Sequence, residues 1–182
     1  MKTSSLLRCF VATVLIAGTL SAGPARAQQA VTVVEYYNKS IAAYFLTGRA
    51  SEQSALDGVA DFQRTGVSFV ATESAGATAP LDSVCRYRIA VTGSSSSSHF
   101  YGLTADCNVI ASFNLTNFFN EGFDFAVERP IAGVCPASSP APVYRALRNL
   151  SPVDVPNHRY VVSQASYDEM IRRGWTGEGI VF

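Results

Sequence analysis

Thr65-Gly66-Val67-Ser68-Phe69, Glu121-Gly122-Phe123-Asp124-Phe125 and Glu178-Gly179-Ile180-Val181-Phe182 each place phenylalanine three residues after a glycine. Phe69, Phe125 and Phe182 are spaced 56 and 57 residues apart. Such regularity predicts three copies of one unit. Working back from each glycine, the first copy has Val34-Glu35-Tyr36-Tyr37-Asn38, Ala43-Tyr44-Phe45 and a helix-like stretch from Ser51 to Leu56. The second has Cys85-Arg86-Tyr87-Arg88, His99-Phe100-Tyr101 and Ala105 to Ala111. The third has Val143-Tyr144-Arg145, His158-Arg159-Tyr160 and Gln164 to Arg173.

Each copy reads strand, strand, helix, strand, since the β-branched and aromatic runs are bounded by Gly, Ser, Asn or Pro. The helix signal is clearest in the third copy. There Ser163 can cap the start, Tyr167, Met170 and Ile171 share one face, and Gly174 ends the run. Loops are expected at 39–42, 92–98 and 148–157. Ala71 to Leu81, and Ala132 to Pro142 with its three prolines, read as connectors. A unit of about 40 residues cannot bury its apolar face alone. The expected fold is therefore α+β: three strand-strand-helix-strand repeats, at about 32–71, 84–128 and 142–182, sharing one core with approximate threefold pseudo-symmetry within a single domain, 28–182.

The 182 residues carry 14 basic and 14 acidic side chains, and 48% are hydrophobic. This is a globular composition. The first 27 residues hold Lys2, Arg8 and Arg26 and no acid, which leaves 11 basic against 14 acidic groups in the remainder. That balance is not the basic footprint of a nucleic-acid binder. Lys2 and Arg8 precede an apolar run from Cys9 to Leu20, and Ala25-Arg26-Ala27 has the small-x-small form of a signal peptidase site. Residues 1–27 are expected to be a removable signal peptide, and the run is too short to span a bilayer. The chain is then secreted or periplasmic, without a membrane span.

Val33 to Phe45, Arg64 to Phe69, Val84 to Tyr87, Ser98 to Cys107, Pro142 to Arg145, Asn157 to Tyr160, Gly174-Trp175 and Glu178-Gly179 carry a combined pattern of V-Y-R-x-Y-N, H-F-Y-T and W-x-x-E-G. The pattern resembles a tandem repeat family of unknown function found in secreted bacterial proteins. Members accompany extracellular hydrolase or wall-associated modules, so the resemblance implies attachment or recognition more than chemistry. Ala43 stands where the family usually has His, and Thr65 where the other two copies have Glu. The closing unit of similar proteins usually ends in a further cysteine, whereas this sequence stops at Phe182.

Beyond residue 27 there are three cysteines, an odd number for an exported chain. In an antiparallel hairpin the start of one strand lies beside the end of the next, which brings Cys85 near Cys107 and predicts a disulfide. Cys135 is left free or pairs with another chain. Two histidines and no C-x-x-C pair give little basis for a metal site, and no cofactor motif is present. His99 and His158 occupy matching positions, as do Glu121 and Glu178. If the second and third strands of a copy are neighbours, each His faces a Glu. The pairs then either line a pocket with aromatics such as Tyr87, Tyr144 and Trp175, or tie strand ends together as scaffolding. Repetition favours scaffolding. The expected function is non-catalytic recognition of a cell-envelope or extracellular ligand such as carbohydrate. A structural or protein-binding role is the alternative, and a small hydrolase using His and Glu is the third.

Overall fold

The computed structural model describes residues 28–90, 97–148 and 156–182. The expected signal peptide, at 1–27, lies outside the described residues, as do most of the loops expected at 92–98 and 148–157. Along the chain run β1 (Ala30–Asn38), β2 (Ala43–Thr47), α1 (Ala50–Asp57) and β3 (Phe62–Glu73). They are followed by β4 (Leu81–Ala90), β5 (Ser97–Leu103), α2 (Thr104–Ser112) and β6 (Phe118–Glu128). The last group is β7 (Tyr144–Arg148), β8 (Asn157–Val161), α3 (Gln164–Arg172) and β9 (Thr176–Ile180). Ala71 to Glu73, read as connector, extends β3, and Ser97 already belongs to β5.

The expectation of an α+β fold with threefold pseudo-symmetry is corrected by the sheets. The described residues form mostly antiparallel β-structure, nine strands with three short helices. Six strands join in the order β2-β1-β3-β6-β4-β5, and a separate sheet has the order β8-β7-β9. The six-stranded sheet closes through Thr72↔Ala126 and Glu73↔Phe125. β3 and β6 are 12 and 11 residues long and have backbone to spare for that pairing, whereas β9 has five residues and stops at Ile180. The helices are minor elements: α1 buries no residue, α2 only Cys107 and α3 only Met170.

In each sheet segment the first strand lies in the middle, so β4 separates β5 from β6 and β7 separates β8 from β9. Second and third strands are therefore not neighbours, contrary to the condition set for the His–Glu pairs. The strand paired with the central one on its third-strand side is bulged each time: β3 opposite Val34 to Tyr36, β6 opposite Cys85 to Tyr87, and β9 opposite Arg145 and Ala146. On these strands Gly66, Gly122 and Gly179 take φ of 90°, 81° and 80°, a left-handed conformation that a side chain resists. The bulge aims the residue preceding each glycine at Glu35, Arg86 and Arg145.

One buried cluster draws on all parts of the chain, including Val33, Leu46, Val84, Phe125, Val143 and Phe182. Phe69, Phe125 and Phe182 meet there, with ring centroids 5.6, 5.7 and 6.3 Å apart. Two tyrosines finish the core. The Tyr101 hydroxyl accepts from the Leu46 N–H at 2.9 Å and donates to the Leu46 carbonyl at 2.5 Å. In turn, the Tyr160 hydroxyl accepts from the Tyr101 N–H at 2.7 Å and donates to the Tyr101 carbonyl at 2.8 Å. Side chains thus satisfy the backbone groups that edge strands β2 and β5 bring into the interior.

Cys85 lies opposite Gly102 and is joined to Cys107 by a disulfide, with Cα atoms 6.2 Å apart. The Phe125 ring has no exposure and touches both other phenylalanines. Phe125→Ala should lower the unfolding free energy by about 3–5 kcal/mol, read from urea denaturation at unchanged m-value.

Candidate functional site

A charged residue flanked by apolar ones in a strand normally faces solvent, yet Glu35 and Arg86 are 0% and 3% exposed. Both faces of these strands are covered, and alternation puts Glu35 on the face of Val33 and Arg86 on that of Val84, towards the core, where each must be met by opposite charge or hydrogen bonds. Arg86 donates to both oxygens of Glu52, at 2.7 and 3.1 Å, to Glu121 at 2.8 Å and to Asp124 at 2.9 Å. Its guanidinium lies 5.0 Å from the Phe45 ring centroid. Arg49 closes the cluster, donating to the Glu121 and Phe123 carbonyls at 3.1 Å each and standing 3.7 Å from Asp124. Burial works against the charge of Arg86, but Glu52 and the neighbouring acids outweigh it and hold the group above its ordinary pKa. Burial pushes Asp124 up, only partly offset by the Gly48 N–H and Arg86. Glu52 and Glu121 are also pushed up by burial, yet hydrogen bonds to Arg86 for Glu52, and to His99 and Arg86 for Glu121, bring both below the usual range.

The same position in β7 is Arg145, which donates to Glu178 at 2.8 Å and to the Tyr101 carbonyl at 3.2 Å and lies 4.7 Å from the Phe100 ring centroid. In β1 the charge is reversed. Glu35 accepts two bonds from Arg159, each 3.1 Å, and one from Thr65 at 2.6 Å. Arg159 in turn covers Tyr44 at 4.2 Å. Arginine over phenylalanine closes two contacts between sheet segments, and glutamate against arginine closes the third.

These clusters contain the histidines and glutamates singled out in the sequence. His99 Nε2 is 3.4 Å from Glu121, and His158 Nε2 is 3.7 Å from Glu178. Each pair meets across the central strand, and the two pairs do not share a pocket. Burial, then Arg145, lowers the pKa of His158 to about 3, so its contact with Glu178 is made by a neutral ring. Its Nδ1 is buried without a partner among the described residues. The strand register also corrects the comparison with Ala43. Tyr44 lies opposite Tyr37 as His99 lies opposite Arg88 and His158 opposite Leu147, so Tyr44 holds the position.

Tyr87 packs with the disulfide, and Tyr144 stacks on Tyr167 with centroids 5.0 Å apart. Trp175 alone of the predicted aromatics borders an open cleft of about 650 Å³ bounded by α3, β7, β8 and Tyr44. At 9% exposure it forms a wall and offers no free platform. The other walls include Tyr44, Arg148, Arg159, Arg172 and Arg173, with Glu169 as an acid. Glu169 pairs with both Arg172 and Arg173, and Arg148 has no acidic partner among the described residues. Cationic charge is therefore in excess. Sequence reasoning did not find Tyr44 or these arginines, because the cleft joins residues more than 100 positions apart. A run of Arg172-Arg173 after an apolar helix face was the one local signal.

Cys135 lines a second, apolar cleft of about 410 Å³ beside Phe69, Val143 and Phe182. Burial raises its thiol pKa, which leaves little thiolate at neutral pH. Among the described residues no helix is long and apolar enough to cross a membrane, and no cluster of His, Cys, Asp and Glu is arranged to hold a metal ion.

Over residues 32–182 the chain matches the model of a domain family of unknown function, DUF5648, and it belongs to that family. No curated protein and no solved structure matches it.

Arg86 meets three carboxylates, so Arg86→Met should destabilise the fold by about 3–5 kcal/mol in urea denaturation, because those acids stay buried without their cation. His158 has a folded pKa lowered from an unfolded value of about 6.5 to about 3. Its stabilising contribution is thus complete above about pH 6.5 and falls as pH drops towards 3, since the unfolded chain takes up a proton that the folded chain refuses. The melting temperature of His158→Phe should decline less than that of the parent over this window.

Proposed function

We propose that the chain is a secreted, non-catalytic recognition domain that holds an extracellular or cell-envelope ligand, carbohydrate in the first place, in the cleft beside Tyr44 and Trp175. The observation that carries this reading is the lining of that cleft. The Tyr44 ring and a set of guanidinium groups border one open volume of about 650 Å³, with Trp175 as a wall behind them. Aromatic rings suit the apolar faces of sugars, and arginines offer forked donors to their oxygens. Secretion draws support from the Lys2–Ala27 leader pattern and from the Cys85–Cys107 disulfide, a bond kept in oxidising compartments.

The His–Glu pairs are assigned to scaffolding. Glu121 and Glu178 are each held by an arginine, and His158 is neutral and buried. A hydrolase would need these groups free to exchange protons with a substrate. A protein partner is the second reading, favoured by Val70, Ile131 and Val134, which are 74%, 76% and 68% exposed.

A glycan and peptidoglycan screen on the oxidised protein separates these roles. Tyr44→Ala should abolish capture of the ligand that the parent chain retains, and Arg148→Ala should weaken it. Glu178→Ala should instead lower thermal stability, by about 1–3 kcal/mol, and keep binding at temperatures where the variant is folded. Capture that survives both cleft substitutions would place the ligand elsewhere.

A further inference from the structure

Tyr44 and Arg159 form a wall with a cavity on each side. One is the cleft of about 650 Å³ described above, and the other, of about 260 Å³, is bordered by Tyr37, Gln63, Arg64 and Thr65. The two sides differ in charge. In the smaller cavity Arg64 is neutralised by Asp57 through bonds of 2.7 and 2.8 Å, and Thr65 and Arg159 are both engaged by Glu35. What remains there is neutral: a tyrosine, the Gln63 amide and the shared wall. In the larger cleft Arg172 and Arg173 divide one carboxylate, that of Glu169, while Arg148 stands exposed with no acidic partner among the described residues.

We propose that the ligand is an oligosaccharide bearing carboxylates that lies across the Tyr44–Arg159 wall, its acidic unit beside Arg148, Arg172 and Arg173 and its next sugar in the Tyr37–Gln63 cavity. This rests on the carbohydrate reading above and adds the charge, direction and length of the ligand. A neutral sugar makes no use of the surplus guanidinium charge, whereas a ring carboxylate can accept two parallel bonds from one guanidinium. The wall itself is rigid. Arg159 is fixed by Glu35 below and stacks on Tyr44, and the Tyr44 N–H donates to Asn157 at 3.3 Å. A ligand longer than one unit then reaches the second cavity by crossing over a fixed wall.

The test is calorimetric titration of the oxidised protein with mono- and tetra-galacturonate, with the methyl ester of the tetramer, with other ring-carboxylate oligomers such as alginate tetramers, and with dextran sulfate. The expected result is that at least one acidic tetramer binds about tenfold or more tighter than its ester and its monomer. Arg148→Ala should remove the preference for acid over ester. Gln63→Ala should weaken the tetramer and leave the monomer unchanged, with the melting temperature of both variants held as a control on folding. Equal binding of acid and ester would overturn the acidic ligand while leaving a carbohydrate site in place. Equal binding of monomer and tetramer would overturn the crossing. Dextran sulfate binding as tightly as the best tetramer would reduce the cleft to a general anion surface and overturn the proposal. Failure of every acidic and neutral sugar to bind would remove the carbohydrate reading itself.

Discussion

A guanidinium buried to 3% exposure is tolerable only if its charge is answered on nearly every side, and Arg86 is answered by three carboxylates from two elements. Glu52 comes from α1, Glu121 from the bulge of β6 and Asp124 from the same strand beyond it. The six-stranded sheet is paired between β3 and β6 over only two residue pairs. Arg86 adds a tie between its halves through Glu52, beside those made by Tyr101 to Leu46 and by Arg49 to the β6 carbonyls. Desolvating so many charges is costly, and the arrangement offers geometric uniqueness more than net stability. A misplaced α1 would strand Arg86 with too few acids. Arg145 and Glu35 impose the same discipline where the smaller sheet meets the larger.

The local order of the chain was legible because it rests on local rules. Gly66, Gly122 and Gly179 mark the bulges, their phenylalanines do reach one core, and the pairing of Cys85 with Cys107 follows from hairpin geometry. The way the strands assemble was not legible. Whether β6 joins β3 or stays apart depends on which edge is left open after folding, and no residue in either strand signals that. Tyr44 was missed through a slip of one position: aligning Tyr44-Phe45 with Phe100-Tyr101 matches aromatic with aromatic, while the ladder matches Phe45 with Phe100. A one-residue slip moves a side chain to the other face.

The burial of Glu35, Arg86 and Arg145 was not legible, because Glu and Arg in an alternating strand ordinarily face solvent. Glu35 sits between Val34 and Tyr36, Arg86 between Cys85 and Tyr87, and Arg145 between Tyr144 and Ala146. A lone charge between apolar neighbours keeps the alternation of a sheet with one wet face, so no local signal shows that here the second face is covered as well. The cleft is a different case. Tyr44 and Trp175 come from opposite ends of the described chain, so only the closure of the core makes them neighbours.

The hydroxyls of Tyr101 and Tyr160 have an effect beyond satisfying backbone groups. An open strand edge is a template on which another chain can add, the usual route to runaway sheet growth or exchange of segments between molecules. At Leu46 and at Tyr101 the place such a strand would take is already filled by a phenol that both gives and takes a hydrogen bond. A phenol ends the ladder there, because it has no second backbone group to offer the next strand. A protein built largely of short strands thus carries its own terminators at the points where two of those strands turn inward.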